Sequence, residues 1–148
     1  MIKQIKSTED INTVIGLLEE FLEETFLKDK LVVNKMHLGK LIHNMIYNHC
    51  IWIAEIDGET AGMFLAIKQP NVWDPSYMEL REMAWFVRPK YRSGQTAGRL
   101  FFEYCRFAEK LKNEGKIQGY TVSSLSTTEN LDLESRGFKI IEQTYLKD

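Results

Sequence analysis

The stretch from Ser76 to Leu111, SYMELREMAWFVRPKYRSGQTAGRLFFEYCRFAEKL, constrains the fold more than any other part of the chain. Met78, Leu80, Met83, Trp85, Phe86 and Val87 make a dense apolar and aromatic run that predicts a buried strand. Pro89 has no N–H to give a sheet ladder, so the strand should end near Val87–Arg88. Arg92-Ser-Gly-Gln-Thr-Ala-Gly98 follows, combining two glycines, small residues and a guanidinium. Leu100, Phe101, Tyr104, Cys105, Ala108 and Leu111 then recur at three- and four-residue steps, one face of a helix that Gly115 can stop. Strand, small-residue loop and helix together present unpaired N–H groups at the positive end of a helix dipole, which suits phosphate.

A plain βα turn, with glycines serving only the backbone, is the competing reading of that loop. Three details favour the anion-binding one. Arg88, Lys90, Arg92 and Arg99 surround a single turn in a chain whose formal net charge is −2. Gly94 and Gly98 lie four apart, with no Gly-Lys-Ser/Thr and no G-x-G-x-x-G, so neither nucleotide fingerprint fits.

The third detail is that Val87-Arg-Pro89-Lys-Tyr91-Arg92-Ser-Gly-Gln95-Thr-Ala97-Gly-Arg-Leu100 resembles, without a gap, the acetyl-CoA-binding motif of the GNAT N-acetyltransferases. That motif runs Val-x-Pro-x-Tyr-Arg-Gly-x-Gly-x-Gly/Ala and leads into a Leu-rich helix. Ser93 and Gln95 stand where glycines are usual. Leu133-Glu-Ser-Arg-Gly137-Phe138 resembles a second signature, Leu-Tyr-Glu-Lys-Leu-Gly-Phe, near the end of the same family. The order and separation of the two motifs agree with it over nearly the whole chain.

The resemblance implies a single GNAT-like domain over residues 1–148, using acetyl-CoA as cosubstrate and no metal. The cosubstrate would be held by Trp85, Phe86 and Val87 at the splayed end of the central strand and by Arg92, Ser93, Gly94, Gln95, Thr96, Ala97 and Gly98 around the pyrophosphate. Ser126 falls where the family often has a CoA-contacting asparagine, with Asn130 in a competing register. The general acid is commonly a tyrosine, but the aligned position is Leu133. Another donor, water or direct thiolate release is therefore expected. The base candidates are Glu82 and Glu79, and Glu82 is favoured because it is nearer Trp85. Regular alternation groups Glu82 with Leu80, Ala84 and Phe86, and Glu79 with Arg81, Met83, Trp85 and Val87. A salt bridge to Arg81 is the purely structural alternative for either carboxylate.

The rest of the chain supplies the frame. Ile2 and Ile5 predict a short first strand, and Ser7 an N-cap with Asp10 three residues on. Ile11, Val14, Ile15, Leu18, Phe21 and Leu22 form an apolar stripe. Opposite it lie Glu19, Glu20, Glu23 and Glu24, read as a solvated acidic face or as an attractor for a cationic acceptor. Asn34 caps a second helix with Leu38, Leu41, Ile42, Met45 and Ile46. Cys50–Ile56 and Thr60–Lys68 predict two strands joined by the Asp57-Gly58 turn. Pro70–Pro75 is a rigid connection that can line an acceptor mouth. Gly119–Ser123 predicts a strand, Ser126–Arg136 a short helix closed by Gly137, and Phe138–Leu146 a last strand or hairpin arm. The sum is mixed α/β (α+β) with a largely antiparallel sheet, which the resemblance sharpens to splayed central strands flanked by helices.

Composition excludes little more. At 148 residues, 44% hydrophobic and 27% charged, the chain is ordinary for one soluble domain. It has no signal-peptide pattern and no long apolar run, which predicts a cytoplasmic protein without a membrane. Near-neutral charge argues against nucleic acid as a partner. Cys50 and Cys105 read as free thiols. His37, His43 and His49 step by about 240° on a helix and cannot converge on one metal. The acceptor is expected to be a small-molecule or protein amine, and a homodimer is compatible with the chain. Two other functions remain open: a GNAT-fold module that binds CoA or a partner without turnover, and an α/β interaction module with no CoA.

Overall fold

Asp57 and Gly58 both have positive φ, 51° and 78°, and make the tight turn that pairs β2 (Ile51–Ile56) with β3 (Glu59–Pro70). The computed structural model describes residues 1–123 and 132–147. Around this hairpin stand β1 (Ile2–Gln4), α1 (Ile11–Glu23), α2 (Lys35–Tyr47), β4 (Met78–Val87), α3 (Thr96–Asn113) and β5 (Gly119–Thr121). The strands form one five-stranded sheet in the order β1-β2-β3-β4-β5. Every pairing is antiparallel except β4 with β5, which α3 joins as a parallel crossover.

Helices cover both faces. Leu100, Phe101, Tyr104, Ala108 and Leu111 of α3 pack on Trp52, Phe64, Leu80 and Val87. Val14, Ile15 and Leu17 of α1, with Ile42, Met45 and Ile46 of α2, pack on Ile51, Ile53, Met63, Ala84 and Phe86 from the other side. Burial on two faces is why β2 and the middle of β3 read as continuous apolar runs instead of alternating. At Gly62 a Cβ would stand 2.5 Å from the Phe86 carbonyl oxygen, so β3 and β4 reach their observed approach only with glycine there.

The caps behave as expected from sequence. Asn34 Oδ1 accepts from the His37 N–H at 3.0 Å, opening α2. Ser7 caps a 3-10 turn, Thr8–Asp10, which runs on into α1. Gly115 and Gly137 take φ of 70° and 86° where the chain must leave helical turns.

Three expectations change. First, Leu65 pairs with Ala84 but Ala66 pairs with Glu82, so Met83 is an extra residue, a β-bulge in the middle of β4. It shifts the alternation by one. Leu80 faces α3, yet beyond the bulge it is Trp85 and Val87 that face α3, while Ala84 and Phe86 face α1 and α2. Glu82 is therefore grouped with Leu80, Trp85 and Val87 and not with Ala84 and Phe86. Second, Phe138–Leu146 is not a strand. A strand needs ladder partners, and the nearest edge, β5, is only three residues long. Third, the last helix is reduced among the described residues to a 3-10 turn, Glu134–Arg136. Ser126, Asn130 and Leu131 lie outside the described residues.

The acidic face of α1 is partly exposed, and three of its four carboxylates are also ion-paired among the described residues. Glu20 receives both ends of the Arg88 guanidinium, at 2.8 and 2.7 Å, and Glu24 receives Arg92 at 2.5 Å. Glu19 pairs with Lys35 of α2 at 3.4 Å. The connection between β3 and β4 is rigid, with Asn71 Oδ1 accepting from Trp73 N–H and Asp74 Oδ1 from Ser76 N–H, each at 2.9 Å. It lies at the Met78 end of β4, about 20 Å along the strand from Trp85.

Candidate active site

β4 and β5, the last pair of the sheet, separate partway along β4. Their ladder covers only Glu79–Arg81 against Gly119–Thr121, and from Glu82 onward that side of β4 has no strand beside it among the described residues. Tyr104 of α3 closes the point of divergence. Its hydroxyl lies 3.2 Å from the Leu80 carbonyl oxygen and 2.7 Å from that of Thr121, tying the two strands where they part. Burial pushes the pKa of this phenol up, so it holds its proton and serves as a strut.

The N–H groups on the open side follow from the ladder. Arg88 N–H donates to Ala61 O of β3 at 2.9 Å. Period-two alternation then turns the Phe86 N–H toward β3 as well and the Trp85 and Val87 N–H groups toward the open side. The Val87 carbonyl, also on that side, accepts from Arg92 Nε at 2.8 Å. Of the three residues expected to hold the pantetheine, two therefore offer N–H groups to the opening and Phe86 gives its own to the sheet.

The loop follows directly. After a 3-10 turn, Pro89–Tyr91, residues 92–95 lead into α3, whose N-cap Gln95 makes no side-chain capping bond. The first N–H groups of α3, those of Thr96, Ala97 and Gly98, are thus left for an external acceptor. Ser93, Gly94 and Gln95 are exposed and Thr96 is buried. Of the four cations, Arg88 and Arg92 are held by α1, and Lys90 bonds Glu59 together with the Tyr91 hydroxyl, which reaches Glu59 at 2.7 Å. Arg92 further lies over the Phe86 ring, 5.7 Å from its centroid. Among the described residues Arg99 makes only a 3.3 Å contact with Gln95 Oε1, which leaves it as the loop's available charge there.

Glu82 sits where the strands part. Glu82 is only 7% exposed, and its Oε2 accepts from the Ser123 N–H, just past the end of β5, at 3.0 Å. Burial pushes its pKa up to about 7, against the smaller lowering pull of the Ser123 N–H and the Arg81 charge. The salt bridge to Arg81 does not form, because Arg81 reaches Glu142 at 3.5 Å. Glu79 lies three residues back, inside the paired part of the strand, and accepts from Gln69 Nε2 at 3.2 Å. Leu133 packs against the α3-side core and its carbonyl accepts from the Phe138 N–H at 3.1 Å.

Sequence reasoning singled out Glu82 and the loop as candidates and did not single out Tyr104 as the strand tie, Ser123 as the partner of Glu82, or Glu20, Glu24 and Glu59 as holders of the loop's cations. The only sequence trace of the last group is that Glu20 and Glu24 stand four apart, one above the other on α1.

No family model matches the sequence, and no curated protein is similar to it in sequence. Solved structures are similar in fold. A possible acetyltransferase from Clostridium difficile 630 superposes with a TM-score of 0.70 at 13% identity, over 100% of this chain and 95% of that one. A predicted acetyltransferase from Clostridium acetobutylicum, solved with acetyl-CoA, gives 0.67 at 14% identity over 100% and 96%. An aminoglycoside acetyltransferase from an uncultured soil metagenomic sample, in complex with sisomicin, gives 0.68 at 12% identity over 100% and 96%. At these identities the likeness speaks for architecture, and by architecture this chain has the fold of the GNAT acetyltransferases.

Proposed function

We propose that the protein is an acetyl-CoA-dependent N-acetyltransferase, one domain over residues 1–148, that moves the acetyl group to a primary amine by direct attack on the thioester. The observation that carries this reading is the juxtaposition of the open side of β4 with Glu82, whose pKa of about 7 matches a general base.

Each step has a group to support it. The uncapped start of α3 and Arg99 favour the pyrophosphate, with Ser93, Gly94 and Ala97 small enough for close approach. The N–H groups of Trp85 and Val87 hold the pantetheine arm and polarise the thioester, an effect that contributes about 3–4 kcal/mol where single oxyanion donors have been removed. Glu82 lies about 10 Å along the strand from Trp85, a distance suited to taking the amine proton through water. The amine nitrogen then bonds to the acetyl carbon and the C–S bond breaks. A thiol of pKa about 8.5 leaves readily as thiolate, so Leu133 in place of a tyrosine is no obstacle. Tyr104 is not the missing acid, since its hydroxyl already serves two carbonyls.

The test is a panel of amines incubated with acetyl-CoA and read by mass spectrometry, with CoA thiol release measured in parallel. An acetylated amine and released CoA are expected. Thermal stabilisation by acetyl-CoA without release would identify a binding module, and no stabilisation at all would remove CoA from the account.

A further inference from the structure

Where the last turn of α3 meets the junction of α2 and β2, the fold leaves a cavity of about 320 Å³, the size of a small-ligand site. Lys110 and Glu114 line it from the C-terminal end of α3. That end is about 20 Å along the helix from Thr96, so the cavity is separate from the loop between β4 and α3. Half-buried Phe107 and buried Leu111 give it an apolar wall, and exposed Tyr47 completes the lining from α2.

Lys68 is the residue of the cavity that most needs explaining. Phe64, Ala66 and Lys68 follow one another on one side of β3, and α3 covers the first two. Lys68 thus ends an apolar row as a half-buried cation. Among the described residues it has no carboxylate partner, and the group it acts on electrostatically is the Cys50 thiol, which burial keeps neutral. A cation in such a place is costly unless it meets an anion or water, and the cavity is where it can meet either. Lys110 and Lys116 share the single carboxylate of Glu114, at 3.9 and 2.7 Å. Three ammonium groups against one carboxylate leave the lining an excess of two positive charges with His49 neutral.

The helix ends beside the cavity do not oppose that charge. The carbonyls of Asn44, Met45 and Ile46 accept the N–H groups of Asn48, Cys50 and His49, and those of Lys110, Leu111 and Lys112 accept from Glu114, Lys116 and Gly115. The carbonyls that would repel an anion are engaged inside the chain. His49, on the cavity wall, is fixed in the left-handed region with φ of 58°. Its N–H donates to Ile46 O at 3.0 Å, and its carbonyl accepts from Gln4 Nε2 at 2.8 Å.

We propose that this cavity binds a small aromatic dianion, an aryl phosphate in chemical class. The phosphate meets Lys68, Lys110 and Lys116, and the ring lies against Phe107 and Leu111. A phosphate monoester carries close to two negative charges near neutral pH, which matches the excess of the lining. The site does not depend on the acetyl-transfer reading, and failure of that reading leaves it unchanged.

Phenyl phosphate is the probe, with inorganic phosphate and phenol as its separate halves, read by amide NMR of the full chain. Phenyl phosphate should shift the amides of Asn48, Lys68, Lys110 and Lys116 and saturate them with a Kd of about 1 mM or below, each half alone binding at least about tenfold more weakly. Lys68→Met/Lys116→Met keeps the stems and removes two charges, and should weaken binding at least about tenfold. Lys110→Glu, on an exposed side chain that leaves the core untouched, should do the same with an unchanged melting temperature. Amides around the cavity that stay unshifted at about 10 mM, or shifts confined to Arg92–Gly98, would overturn the proposal. So would inorganic phosphate binding as tightly as phenyl phosphate, or Lys variants that bind as the wild type does.

Discussion

Glu82 is a carboxylate held in a place that favours its neutral form, and that has a consequence for stability. Its pKa rises on folding from the ordinary carboxylate range to about 7, so between those values the folded chain binds more protons than the unfolded one. Stability contributed by this group is therefore lost as pH rises through that window. Gln at this position keeps an oxygen for the Ser123 N–H and has no charge to bury. Glu82→Gln should be more stable than the wild type at pH 8, by up to about 3 kcal/mol, and equal to it near pH 4.5. Urea unfolding at the two pH values checks this, and equal stability at pH 8 would mean the carboxylate is well solvated. At Leu133 the prediction is negative. Leu133→Tyr should leave turnover within about tenfold, because thiolate release needs little assistance. A gain of several orders of magnitude in CoA release would mark the wild type as a decayed enzyme. Glu82 was legible in the sequence because a carboxylate amid Leu80, Ala84 and Phe86 has to be explained. Its face was not, because a bulge leaves no trace in composition, and one extra residue at Met83 inverts the alternation that follows.

Among the elements, the loop between β4 and α3 was the most legible, since proline, glycines and a helical stripe punctuate it in order. What its cations do was not legible. Partners 68 residues away in sequence, Glu20 for Arg88 and Glu24 for Arg92, are set by how α1 lies across the end of β4. These pairs make the arginines fasteners of α1 more than phosphate ligands. Arg88→Ala breaks the two-pronged contact with Glu20 and the 2.7 Å bond to Thr60 O. It should lower stability by about 1 kcal/mol, the half-exposed setting weakening the ion pair. Acetyl-CoA affinity should hardly change, and a tenfold loss in calorimetry would give Arg88 a direct role. Gly94→Asp/Ala97→Asp is the complementary change, placing negative charge and bulk at the start of α3. A folded double variant that binds acetyl-CoA as tightly as the wild type would show that the loop does not hold the pyrophosphate. The tail was read as a strand from the strand character of its residues, but none of the described strands pairs with it.

Across the whole molecule, two helical layers pin the sheet from both faces, and among the described residues the one-sided pairing of β4 leaves its far half open on the β5 side. Among the described residues, no helix is long and apolar enough to cross a membrane. The central claim is that this opening is where an amine loses its proton to Glu82 and attacks a thioester held by Trp85 and Val87. The most direct measurement is CoA thiol release across pH, with the acceptor found by the amine panel, for the wild type, Glu82→Gln and Glu79→Gln. The wild type should lose rate below about pH 7 as Glu82 takes a proton, while Glu82→Gln should be slower by about 10²–10⁴ and lack that acidic limb. Glu79→Gln should keep both rate and limb. If Glu82→Gln retains them instead, deprotonation does not pass through this carboxylate and the account is contradicted.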